Sequence, residues 1–140
     1  MNQSLIFIPF FGLMLLTISV WFYMYYLRIS YLTKNQVDPQ KLSNSRQLED
    51  IIPEKINSPS ENLNNLFELP VLFYATCLFL YTTNLVDTTS LLLAYLFLLF
   101  RIIHSVIHCT YNKVMHRFYA YILSSIVLWI YIVLAFVNVF

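Results

Sequence analysis

A single glycine serves the whole chain, and that scarcity excludes a soluble α/β fold, whose tight turns need several. Charge is almost as scarce. Only 11% of residues are Asp, Glu, Lys or Arg, against about 25% in a typical soluble domain. With a formal net charge of +1 there is no basic stripe to release counterions from phosphates, which excludes nucleic acid as a partner. The two cysteines, Cys77 and Cys109, both lie inside apolar runs and fit inert buried thiols better than a disulfide framework.

What fills the chain instead is apolar. Hydrophobic residues make up 59% and the mean hydropathy is +0.67, a composition for which lipid is the sensible solvent. The 140 residues hold one domain, predicted to be an all-α membrane protein, a bundle of four transmembrane helices. The spans fall at about 5–31, 66–86, 88–109 and 117–139. The first does not read as a signal peptide: it lacks a basic leading segment, its apolar stretch is too long, and no small-residue cleavage pattern follows it. Residues 34–62 are a different material. Ten charged residues, counting Arg28 and Glu61 at the edges, join Pro39, Pro53 and Pro59 there, and this stretch is expected to form a polar loop with short helical pieces. Asp87 followed by Thr88, Thr89 and Ser90 reads as a helix N-cap. Arg28, Lys34, Lys41, Arg46, Lys55, Lys113 and Arg117 all lie in or beside the first and third connections. By the positive-inside rule these connections are cytoplasmic and both termini lie outside.

Arg101 is the residue that composition alone would not place here. It stands eight residues before Cys109, roughly 12 Å along the helix at 1.5 Å per residue. An arginine at that depth costs on the order of 2.5–3.5 kcal/mol unless it faces the bundle interior and finds partners. His104, Ser105, His108 and Asn112 share its helix stripe. Glu61, Asn65 and Glu68 form a matching stripe before the second span, and Arg117, Tyr121 and Ser124 or Ser125 another on the fourth. The three stripes converge at the end of the bundle that carries the basic residues.

Three readings of that polarity stand side by side. An Arg101–Glu68 pair would be a structural lock, with each histidine merely a satisfied core residue. His104 and His108, one turn apart, would share a metal with Glu68 as a third ligand, although no soft ligand completes such a site and Arg101 one turn away repels a cation. A ligand site is the third, since five polar groups facing two more stripes exceed what one neutralising pair needs.

Two motifs then carry a likeness. Asn65-x-x-Glu68, and Arg101-x-x-His104-x-x-x-His108 followed by Arg117, together with four spans and a long first loop, resemble the membrane-associated proteins in eicosanoid and glutathione metabolism. The branch most similar in motif is that of microsomal prostaglandin E synthase and the microsomal glutathione transferases, with this chain a divergent, bacterial-like member. The resemblance implies a homotrimer holding glutathione between subunits, contacted by Asn65, Glu68, Arg101, His104, His108 and Tyr121. It also implies a catalytic Arg117 that stabilises the thiolate, because a cation beside a thiol raises its reactive fraction. Assembly also has a physical motive, since three polar stripes are more than one monomer easily screens from lipid. The branch has basic residues before its Asn-x-x-Glu, a tyrosine at the position of His108 and a serine after its later arginine. Here stand Glu61 and Asn64, His108 and Phe118.

The expected function is therefore a glutathione-dependent transferase or peroxidase acting on lipophilic electrophiles within the membrane. The alternative is a non-catalytic relative that binds a lipid or protein partner. Topology is testable at once: cysteines introduced at Lys41 and at Asp87 are expected to label from opposite faces of the membrane. Labelling of both from one face would end the four-span topology.

Overall fold

The computed structural model describes residues 2–38 and 52–139, and among them every regular element is helical. A 3-10 turn, Gln3–Ile6, leads into α1 (Phe7–Lys34). Then come α2 (Glu54–Leu66), α3 (Leu69–Thr82), α4 (Thr88–Cys109) and α5 (Val114–Val137). Four stretches are long and apolar enough to cross a membrane: Gln3–Lys34, Glu54–Thr82, Thr88–Cys109 and Val114–Val137.

The polar loop expected over 34–62 is cut short. Residues 39–51 lie outside the described residues, but α2 already begins at Glu54. Pro53 occupies its N-cap with the extended ψ of 144° that precedes a helix, and Glu54 places a carboxylate in the first turn, where the helix dipole favours it. A helix this polar is unstable alone. It forms because its buried residues Ser58 and Asn62 find partners on α4, and because Arg28 of α1 donates to the Asn57 side chain at 2.9 Å.

Between α2 and α3 the helix is interrupted. Pro70 stands in the first turn of α3 and has no N–H for the Leu66 carbonyl. The chain closes α2 with a Phe67 N–H to Asn64 carbonyl bond of 2.9 Å and resumes with Val71 N–H to Glu68 carbonyl at 3.2 Å. The Asn65 carbonyl is thereby released from the backbone ladder.

A chain with one glycine needs other residues for left-handed turns, and asparagine, which tolerates that conformation best, takes two of the three among the described residues. Positive φ occurs at Gln36 (51°), Asn84 (58°) and Asn112 (46°). Asn84 ends α3 with a Schellman pair of bonds, Leu85 N–H to Leu80 carbonyl (2.9 Å) and Asn84 N–H to Tyr81 carbonyl (3.2 Å). Asp87 then caps α4 in a capping box with Ser90. The Gln3 amide grips the same connection, accepting from Val86 N–H at 2.8 Å and donating to the Val86 carbonyl at 3.1 Å.

Among the helix pairs α4 and α5 share the largest contact, while α1 packs on α2 and α4 and α3 packs on α5. Phe73 of α3 and Phe97 of α4 stack at 4.8 Å between centroids. The Tyr131 ring of α5 joins them, its hydroxyl 3.4 Å from Cys77 Sγ. The single glycine stands where α1 meets Leu98 of α4: a Cβ on Gly12 would lie 2.8 Å from Leu98 Cδ2. Facing outward, α1 exposes Phe11, Leu15, Ile18, Phe22, Tyr26 and Ile29 in one helical stripe, a surface stable only against hydrocarbon or another apolar surface.

The Asn84 turn gives a stability test. Asn84→Gly is expected to leave the melting temperature in detergent unchanged or raised. Asn84→Val forces a β-branched residue to positive φ and should lower stability by about 1–2 kcal/mol. Equal melting of the two variants would show the turn is not held in that conformation.

Candidate functional site

At the end of the bundle where α4 finishes and α2 and α5 begin, the polar face of α4 divides between two neighbours. Toward α2, Ser105 Oγ donates to Asn62 Oδ1 (3.3 Å), Asn62 Nδ2 donates to Cys109 Sγ (3.4 Å) and Ser58 Oγ donates to the His108 carbonyl. That carbonyl is one of the last four of α4, which no helical N–H reaches. This half is structural.

Toward α5 the same helix borders a cleft of about 370 Å³ walled by Glu61, Asn64, Asn65, His104, His108, Val114, Arg117, Phe118 and Tyr121. The volume falls within the range of small-molecule sites, roughly 300–1,000 Å³. Of the residues singled out from sequence, Asn65, His104, His108, Arg117 and Tyr121 meet here. Arg101 is not in the wall. It is fully buried, donates from Nη2 to the Asn65 carbonyl at 2.8 Å and lies over the Tyr121 ring at 5.8 Å from the centroid, so it touches two residues that are. Glu68 is exposed at the break between α2 and α3, outside the cleft.

The Arg101–Glu68 lock read from the sequence is thus not formed; among the described residues the ion pairs involve Glu61 instead. The reason is the helix break, which releases the Asn65 carbonyl toward Arg101 and leaves Glu68 exposed. Nor do His104, His108 and Glu68 gather around a metal: among the described residues no group of three His, Cys, Asp or Glu side chains is placed to hold one.

Arg117 organises the cleft. Its Nη1 donates to His108 Nε2 at 2.8 Å and to Asn112 Oδ1 at 2.9 Å, and lies 3.9 Å from Glu61 Oε2. Asn112 reaches it because a left-handed turn, closed by Asn112 N–H to the Ile107 carbonyl at 2.9 Å, carries the side chain back toward α5. Hydrogen-bond logic assigns one nitrogen of each imidazole. The Arg117 carbonyl can only accept, so His104 Nδ1, 3.1 Å away, carries a proton. His108 Nε2 accepts from Arg117, so its proton sits on Nδ1. The same Nε2 is 3.4 Å from Glu61 Oε2 and cannot donate there while it accepts; the shorter contact decides. His104 Nε2, His108 Nδ1 and two nitrogens of Arg101 are buried without a partner among the described residues. Buried polar atoms are rarely left so unless something else meets them. The cleft therefore offers two imidazole rings and an oriented guanidinium beside an apolar lip, Val114 and Phe118.

The chain matches the family model described as the MAPEG family over residues 6–137. The chain belongs to the MAPEG family. Comparison with curated proteins and with solved structures gave no match. Membership, with the four long apolar helices, makes this an integral, multi-pass membrane protein with an all-α four-helix bundle, as the composition indicated. A second cavity of similar size, about 380 Å³ between α3 and α5, is lined by Ala75, Thr76, Phe79, Ile132, Ala135, Phe136 and Val139, and its one polar side chain leaves it no chemistry.

Glu61 is the wall residue whose weight sequence reasoning missed, although its four-residue spacing from Asn65 was visible. Val114 gave no signal of its own, because nothing in an apolar residue marks which face of a helix meets a cleft, and Asn64 and Phe118 stood out only as departures from the pattern of the resembled branch.

The contacts of Arg101 predict a coupling pattern. In double-mutant cycles on thermal stability, Arg101→Met with Tyr121→Leu should show about 1 kcal/mol of interaction from the lost cation–π contact. Arg101→Met with Glu68→Gln should be additive within about 0.5 kcal/mol. Strong coupling to Glu68 would overturn the assignment of Asn65 as the partner.

Proposed function

We propose that this protein is a thiol-dependent transferase or peroxidase that uses glutathione against lipophilic electrophiles reaching the cleft from the bilayer. The observation that carries the reading is Arg117, held by Asn112 and His108 in the wall of the cleft beside His104. A thiol placed there faces the guanidinium, which favours the thiolate, and its proton leaves to solvent. Two neighbouring histidines and an oriented arginine are more than a membrane anchor needs. The apolar lip at Val114 and Phe118 lies beside the thiol position, so an electrophile dissolved in lipid meets the sulfur without crossing water. Peroxidase action uses the same thiolate against a lipid hydroperoxide.

Three further features belong to this reading. The basic residues of the first and third connections put the cleft on the cytoplasmic side by the positive-inside rule. A homotrimer, as in the family resemblance, would cover the open lip, where Val114 and Phe118 are exposed. Asn65, whose carbonyl is taken by Arg101, keeps its side-chain amide for the ligand, whereas Glu68 is too far toward the surface to serve in one subunit alone. The competing reading, a relative that binds a lipid or protein partner without catalysis, shares the fold but gives Arg117 no task beyond touching lipid phosphate.

Arg117 separates the two. Lysine keeps the charge but not the planar fork that reaches two acceptors at once, so Arg117→Lys should lose most conjugation of glutathione to a generic lipophilic aryl halide, and Arg117→Ala nearly all. A plain anchor would tolerate the lysine. Glutathione at several millimolar should also raise the melting temperature of the wild type by mass action, given an affinity of around millimolar, about −4 kcal/mol. Neither binding nor conjugation at that concentration would end the enzyme reading.

A further inference from the structure

The flank of α4 that faces α1 carries a second recess, apart from the cleft. Val106 and Cys109 of α4, with Leu16, Val20 and Tyr23 of α1, border a groove of about 200 Å³. At Tyr23, Cys109 and Thr110 it joins a wider chamber of about 550 Å³, walled further out by Leu27, Lys55, Ile56 and Tyr111. The two form one trench. Leu16 and Leu27 stand eleven residues apart on α1, roughly 16 Å at 1.5 Å per residue. Half of a hydrocarbon core of about 30 Å is close to that length, so the trench runs the depth of one leaflet.

Its two ends differ in chemistry. In the deep groove the small hydroxyls are already used: Ser19 Oγ donates to the Leu15 carbonyl at 2.8 Å, Thr110 Oγ1 to the Val106 carbonyl at 2.6 Å and Ser105 Oγ to Asn62 Oδ1. Cys109 Sγ accepts from Asn62. What that end offers a ligand is hydrocarbon. At the shallow end Lys55 is exposed and makes no hydrogen bond or ion pair with a described residue. Arg28, the residue after Leu27, adds a second positive charge at this level, and its Nε is buried with no partner among the described residues. Glu54 is not in the trench wall; it lines the polar recess beyond, with Lys55, Ser58 and Asn112. Lipid tails are as apolar as the groove, so an alkyl chain alone gains little by entering it. Preference must come from the headgroup, and two cations at the mouth favour an anionic one.

We propose that this trench is a binding site for an anionic phospholipid, with one acyl chain laid between α1 and α4 and the phosphate at Lys55. The groove is narrow enough for one chain, and the second stays in the surrounding bilayer. The chamber at the mouth has more than twice the volume of the groove below it, which suits a phosphodiester headgroup and exceeds what a bare carboxylate fills. The site does not depend on the thiol reading. Ser105 and Cys109 border the trench whereas His104 and His108 border the cleft, so α4 stands between the two.

The test offers the delipidated full chain, in mild detergent, phosphatidylglycerol or phosphatidylcholine with identical acyl chains and counts bound lipid by native mass spectrometry. Phosphatidylglycerol should be retained about threefold more, the scale of an exposed ion pair. Lys55→Gln should remove most of that preference. Lys34→Gln, also exposed on α1 but outside the trench, should leave it intact. A preference untouched by Lys55→Gln, or no preference in the wild type, overturns the proposal. The position is read independently on the wild type: phosphatidylglycerol with a diazirine in mid-chain should label residues 16–23 and 105–110. Label spread along the outward stripe of α1 from Phe11 to Ile29 marks ordinary bilayer contact and overturns it as well. Displacement of the labelled lipid by an equimolar amount of palmitate overturns the assignment to a phospholipid.

Discussion

A guanidinium enclosed on every side by helices must be given an acceptor, and the acceptor that Arg101 uses is a backbone carbonyl that an unbroken helix would not have spared. The rest of the site follows from that contact. Pro70 interrupts the second membrane crossing, the interruption frees the Asn65 carbonyl, and the bond to Arg101 ties the end of α2 to the middle of α4. Tyr121 covers the other face of the guanidinium, which brings in α5. One cation thus gathers three helices, and the cleft lies against the place where they meet. A hydrogen bond to a charged donor is worth about 1.5–3 kcal/mol, comparable with the cost of putting the arginine there at all.

The polar face of α4 shows how one stripe serves two ends. Ser105, together with the backbone at His108 and the Cys109 thiol, turns to α2 and is satisfied there. His104 and the His108 imidazole turn to α5, where each ring keeps one nitrogen unpartnered. A helix fully satisfied on both sides would be a strut. This one is satisfied on one side and keeps unpartnered ring nitrogens on the other: Asn62 on α2 uses both ends of its amide, whereas Arg117 on α5 meets one nitrogen of each imidazole and leaves the second.

Much of this was legible in the sequence because lipid is an unforgiving solvent. The four crossings, the capping of α4 by Asp87 and the convergence of Asn65, His104, His108, Arg117 and Tyr121 follow from hydropathy, N-cap chemistry and helical spacing. The partner of Arg101 did not. Residue types announce charge pairs such as Arg101 with Glu68, whereas a carbonyl released by a helix break belongs to no side chain and leaves no mark in the pattern. The onset of α2 was hidden for a related reason. Its composition from Glu54 to Asn62 is that of a loop, and only the partners Ser58 and Asn62 find on α4 make it a helix. Glu61 was visible but looked like one more solvated charge, since its meaning depends on the distance to Arg117 that the sequence does not encode.

The order in which the chain is made gives the Arg101 contact a further meaning. A nascent helix carrying an arginine at that depth enters the bilayer poorly by itself, by about 2.5–3.5 kcal/mol. Asn65 is synthesised before Arg101, so the carbonyl that receives the guanidinium already exists when α4 leaves the ribosome, whereas the Tyr121 ring follows later. The two halves of the arginine's environment arrive in sequence, hydrogen bond first and aromatic cover second. Biogenesis of this protein is then a matter of pairs, with α4 inserting against the crossing that precedes it and α5 closing over a cation already housed.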